Sequence, residues 1–189
     1  MQRFYGDFRN QRILIVGEVN TGKTRTTLDI LTRWIAADPT RPMTVLDLAP
    51  EPVGGIGGRL SLPPGFDGRY LSADIVPPRL TGRTPDDIAR LAVANARAAE
   101  PLLTAILTHP HPVLVVNDAS LYLQAGDYRR FTEIIQSAAT VLINAYYGKS
   151  LSRDHPVSHR ERRLTERLMQ DCDRVIRLPE NGNKLKAES

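Results

Sequence analysis

A chain of 189 residues has room for one domain, and 41% hydrophobic with 24% charged residues is the composition of a folded protein, not a disordered one. Lys and Arg number 25 against 21 Asp and Glu, and a net charge of +4 is too small and too scattered to point to nucleic acid. A single cysteine, Cys172, excludes an intramolecular disulfide framework and a cysteine zinc site. No apolar run reaches the ~18 residues of a membrane span, and the opening MQRFYGDFRNQR lacks an apolar signal core, so the expected address is cytoplasmic.

In chain order, residues 12–16 (RILIV) are an apolar run suited to a buried strand, ended by Gly17. Residues 23–37 carry Leu28, Leu31, Ile35 and Ala36 at helical spacing, and Asp38-Pro39 stops that helix. Residues 43–48 (MTVLDL) read as a second strand. From 50 to 83 come six prolines and seven glycines, so this stretch cannot be regular helix or strand throughout. Thr84-Pro85-Asp86-Asp87 starts a helix with a threonine cap, a first-turn proline and acids at the positive dipole end. It should run to about residue 108, with Pro101 placed to kink or split it.

Residues 112–117 (PVLVVN) are a third strand, a helix follows over about 127–138, and residues 140–144 (TVLIN) are a fourth strand. Ser158 and Glu161 have capping-box spacing and open a basic helix to about Asp171. Residues 174–178 (RVIRL) make a fifth strand. Strands alternating with helices predict a single α/β domain over residues 1–179. Its mostly parallel five-stranded sheet is sandwiched by helices, and a polar tail follows over 180–189.

Between the first strand and first helix stands Gly17-Glu18-Val19-Asn20-Thr21-Gly22-Lys23-Thr24, which matches G-x-x-x-x-G-K-[ST] at every position. The glycines let the backbone turn tightly and approach an anion, and successive N–H groups then cradle phosphates. The helix beginning near Lys23 adds its open N–H groups and dipole. Lys23 would reach the β- and γ-phosphates and the Thr24 hydroxyl would ligate Mg2+.

On these residues the chain resembles the P-loop NTPase superfamily, firmly over residues 12–37 and by strand order through about 178. The resemblance implies Mg2+ and a nucleoside triphosphate bound by Gly17, Asn20, Thr21, Gly22, Lys23, Thr24 and Arg25. ATP is favoured over GTP, because Asn183-Lys184-Leu185-Lys186 fails the guanine box at its last residue and no Asp-x-x-Gly switch follows a strand. The additional-strand, RecA-like branch is favoured over the kinase and GTPase branches.

Such proteins place an acid at the end of another strand. Asp118 fills that position, acting on the metal beside Thr24, on the attacking water, or on both, and Asp47 competes for the metal role. Asn144 resembles the branch's polar γ-phosphate sensor, which completes a catalytic set of Lys23, Asp118 and Asn144. Ala119 stands where hydrolysing members carry glutamate, so hydrolysis is expected to be slow unless a protein partner or a homo-oligomer neighbour completes the site.

The Gly/Pro stretch follows the second strand, where open parallel sheets bind ligands, and reads as a substrate or partner loop offering Arg59, Arg79 and Arg83. The basic stretch 149–163 resembles a kinase lid, with Lys149 or Arg153 near the γ-phosphate. Gly148-Lys149-Ser150 is no second phosphate loop, because position 143 is isoleucine. Tyr146-Tyr147 stack on a base or pack beneath the sheet, the four histidines read as ordinary loop residues, and Cys172 as an inert thiol. Three functions stay open: triphosphate hydrolysis, phosphoryl or other group transfer to a small molecule, and a nucleotide-gated interaction protein.

Overall fold

The computed structural model describes residues 8–151 and 154–179; Arg153 and the 180–189 tail lie outside the described residues. The strands are β1 (Arg12–Gly17), β2 (Met43–Asp47), β3 (Arg69–Ser72), β4 (Val113–Asn117), β5 (Thr140–Tyr146) and β6 (Arg174–Arg177). The helices are α1 (Lys23–Ala37), α2 (Pro78–Thr81), α3 (Pro85–Thr108), α4 (Ser120–Leu123), α5 (Tyr128–Gln136) and α6 (Pro156–Asp171). All strands pair in parallel in one sheet of order β3-β2-β4-β5-β1-β6.

The sheet has six strands, not the expected five. The additional strand is β3, inside the Gly/Pro stretch, pairing Thr44 with Arg69 through Asp47 with Ser72. Its sequence RYLS is half-buried at every residue, as an edge strand is, so it lacks the apolar run that marks β1, β2, β4 and β5.

Alternation along the strands builds two cores. Ile13, Ile15, Val113, Val115 and Leu142 face α1, where Ile30, Leu31 and Ile35 cover them. Leu14, Val16, Leu114, Val116, Val141 and Ile143 face the other way, onto α3, α5 and α6 through Leu103, Ile106, Phe131, Ile134 and Leu168. Each such side chain contributes about 1.5–3 kcal/mol on burial. That outweighs local costs such as Pro101: α3 runs through it unbroken, with residue 101 on the exposed side. Thr84 caps α3 as expected, accepting from the Asp87 N–H at 3.1 Å.

At α6 the cap is not the expected serine. His155 is the N-cap, its Nδ1 accepting from the Val157 N–H at 3.1 Å with Pro156 in the first turn. Ser158 and Glu161 are buried inside the helix. No helix among the described residues is long and apolar enough to cross a membrane.

Candidate functional site

The loop after β1 carries the chemistry-bearing run. Asn20 and Gly22 have φ of 58° and 89°, the left-handed region that lets the chain fold back on itself before α1. At Gly17 a Cβ would meet the Thr21 hydroxyl at 2.7 Å and Leu178 at 3.2 Å, so glycine keeps the entry closed. Among the described residues the backbone N–H groups of residues 20–25 donate no hydrogen bond, and α1 has no side-chain cap. Six consecutive open donors at a helix N-terminus form a site for an anion. Lys23 Nζ donates to the Glu18 carbonyl at 2.6 Å, as does the Thr21 hydroxyl at 2.9 Å. Arg25 is exposed and reaches along the helix to Asp29 at 3.6 Å.

Two carboxylates end neighbouring strands, and their surroundings differ. Asp47 is fully buried, and it accepts from the Ala49 and Leu60 N–H groups, the Tyr70 hydroxyl and Asn117 Nδ2. Four donors saturate it. Asp118 instead faces the open cavity, on a backbone with φ 55° and with its N–H held by Asn144 Oδ1 at 2.9 Å. Burial pushes the Asp118 carboxyl above the ordinary range; Lys23, a Ser120 hydrogen bond and Arg79 pull it back. Burial lowers the Lys23 ammonium, opposed by Asp118 and Glu18. Both amide hydrogens of Asn144 are committed, to Thr27 Oγ1 at 2.9 Å and Asn117 Oδ1 at 2.7 Å. Asn144, expected as a γ-phosphate sensor, lines the cavity and through these bonds also joins α1, β4 and β5.

Above these residues lies a cavity of about 370 Å³ at the carboxyl ends of the strands, large enough for a small ligand. Its lining draws on the loop at 19–24, the segments 49–58 and 77–80, residues 118–124, Asn144, Tyr146 and Leu151. Asp118 is the only carboxylate among the described residues that line it. Arg79 also lines the cavity, buried on α2, with Nη2 at 3.0 and 2.9 Å from the two oxygens of buried Glu161. Gln124 Nε2 donates to Glu161 at 2.6 Å, and Gln124 Oε1 has no partner. Burial raises the Glu161 carboxyl to about 7, against the lowering effect of Arg79 and Gln124. The Tyr146 ring serves two cations, with Lys23 Nζ 5.9 Å and the Arg79 guanidinium 5.2 Å from its centroid.

Sequence reasoning passed over Glu161, hidden in a capping-box pattern, and Glu18, a variable position of the loop. The Glu18 carboxylate accepts from the Val19, Lys149 and Ser150 N–H groups and from the Ser150 hydroxyl. Its slight burial favours the neutral acid, but the hydrogen bonds from Ser150, Lys149 and Val19 prevail and lower it to about 2. A Cβ at Gly148 would overlap that carboxylate, which accounts for the glycine.

Tyr147 lies away from the cavity, between the guanidinium groups of Arg162 and Arg177 at 4.5 and 5.5 Å. Arg59 is tied to Glu51 at 3.1 Å and bonds Ser72 and Ala73, bracing the Gly/Pro loop. The Arg83 and Lys149 side chains are exposed. Burial, with Asp171 and Asp173 nearby, pushes the Cys172 thiol up to about 12, an unreactive environment.

No family model matches the chain, and no curated protein matches it either.

Proposed function

We propose that this protein binds a Mg2+–nucleoside triphosphate, ATP in preference to GTP, and hydrolyses it slowly as a P-loop NTPase of the additional-strand branch. The observation that carries the reading is convergence: Asn20, Gly22, Lys23 and Thr24, whose N–H groups are open, line one cavity together with Asp118 at the carboxyl ends of a parallel sheet. Strand order supports the branch, since β5 lies between β1, which leads into the loop, and β4, which ends at the acid.

The residues present fit the group. The Thr24 hydroxyl and the Asp118 carboxylate are hard oxygen donors suited to Mg2+, and the N–H groups of 20–25 suit the phosphates. The metal would supply charge neutralisation on the β- and γ-phosphates. The chain's own part begins with Lys23, which exchanges the Glu18 carbonyl for phosphate oxygens. Asn144 keeps Asp118 at the cavity wall, and Asp118 orients water. With one carboxylate to serve both metal and water, no separate general base is present among the cavity's described residues, which accounts for slow turnover.

A second reading is transfer of the terminal phosphoryl to a small acceptor, favoured by the room between the phosphate loop and Arg79. Calorimetric titration with Mg·ATP and Mg·GTP, together with phosphate release, tests the proposal. Binding should require Mg2+, and Lys23→Ala should weaken it by about 10–100-fold, the loss of one charge-assisted contact. Equal binding by the variant, or none by the wild type, overturns the nucleotide reading.

A further inference from the structure

We propose that the part of the cavity around Arg79 is a second ligand site, beside the phosphate loop and built for a small organic acid whose carboxylate seats on Arg79. The inference rests on the nucleotide reading only for what lies beside the acid; the acid site itself stands on the residues around Arg79. That side chain is 6% exposed, and a buried guanidinium requires compensation. Glu161 supplies part of it, but engages a single nitrogen, Nη2. Among the described residues Arg79 Nε and Nη1 donate no hydrogen bond, although Arg79 lines the cavity. A guanidinium offers five donors in a planar fork matched to a carboxylate, so the unused ones define an anion seat.

The seat is rigid. Pro77 and Pro78 fix the backbone before Arg79, and the Tyr146 ring backs the guanidinium at 5.2 Å. Glu161 does not line the cavity; it acts as the counter-ion behind Arg79, pinned by Gln124. Ile56, Pro77, Leu80 and Leu121 give the cavity apolar wall, and Ser120 and the unpaired Gln124 Oε1 give it polar contacts, so the ligand's body is hydrocarbon or aromatic with room for one polar group. Lys23 stands over the same tyrosine ring at 5.9 Å, which puts the acid group next to the phosphate loop.

The test measures binding of hexanoate and benzoate against their uncharged counterparts 1-hexanol and benzyl alcohol, by ligand-observed NMR with and without Mg·ADP. The acids should bind at least about tenfold more tightly than the alcohols. Arg79→Gln alone strands Glu161 and risks misfolding, so the neutral pair Arg79→Gln/Glu161→Gln is the main variant. It should lose about tenfold or more in acid affinity while its affinities for Mg·ADP and Mg·AMP-PNP change less than about twofold. Glu161→Gln alone removes the competing anion and should tighten acid binding.

Equal affinity for acids and alcohols, or no binding of either acid, overturns the proposal. A double variant that loses Mg·AMP-PNP but not Mg·ADP also overturns it, because Arg79 then serves the terminal phosphate. Acid binding without any nucleotide binding upholds the acid site and removes the nucleotide reading.

Discussion

At Glu18 a carboxylate is folded back onto backbone donors 131 and 132 residues away, Lys149 and Ser150, and that one side chain ties the Gly17–Thr24 loop to the segment after β5. Its carboxyl is lowered from 4.5 to about 2. A lowered acid favours the folded arrangement above its ordinary value and stops doing so as pH falls through the lowered one. Protection of the Lys149 and Ser150 amides from hydrogen exchange should therefore be full above pH 4.5 and decline between 4.5 and 2 in the wild type. In Glu18→Gln it should be weak throughout; unchanged protection in that variant would remove the latch. Asp118 tests the other carboxylate role. Asp118→Asn should reduce Mg2+-dependent turnover by about 10–100-fold with a smaller effect on nucleotide affinity, as expected for a group acting on the metal's water shell.

At the scale of elements, Asp47 holds the long connection to the sheet. It gathers the N–H groups of Ala49 and Leu60 from the connection, Tyr70 from β3 and Asn117 from β4. Asp47→Ala would leave these buried donors unpaired, so unfolding free energy should drop by about 3–5 kcal/mol in urea titration. The Mg2+ dependence of the surviving folded protein should be unchanged; a lost Mg2+ response would return Asp47 to the metal. This pattern shows where the sequence was legible. The apolar runs of β1, β2, β4 and β5 and the cap at Thr84 act locally, so periodicity and composition expose them. β3 and α2 have four residues each and take their form from pairing and burial against distant segments, which no local pattern records. The site divides the same way. Residues 17–24 are contiguous and were read directly, whereas Arg79, Gln124 and Glu161 meet only because α2, α4 and α6 pack around one end of the sheet.

For the whole molecule, the cavity joins pieces that the fold otherwise holds separately: the β1–α1 loop, the Gly/Pro connection, α2 and the ends of β4 and β5. A ligand seated on the 20–24 loop would bind only the assembled form, since Asn20, Gly22, Lys23 and Thr24 line the cavity only when the loop and α1 are folded. Binding to the native state alone stabilises by mass action, about 2.7 kcal/mol when the ligand is at a hundred times its Kd. In a chain of 189 residues each kcal/mol raises Tm by about 2–4 °C. Mg·AMP-PNP at that saturation should therefore raise Tm by roughly 5–11 °C in a thermal melt. AMP-PNP with EDTA should give a much smaller shift if Thr24 and Asp118 hold the cation as proposed. At the same ligand concentration Lys23→Ala, bound about 10–100-fold more weakly, should cut the shift to about 1–6 °C. Its unliganded Tm should stay near that of the wild type, because among the described residues Lys23 makes a single side-chain hydrogen bond, to the Glu18 carbonyl. If the variant melts far below the wild type without ligand, Lys23 is a structural prop. If it keeps the full ligand shift, the triphosphate does not sit on this loop.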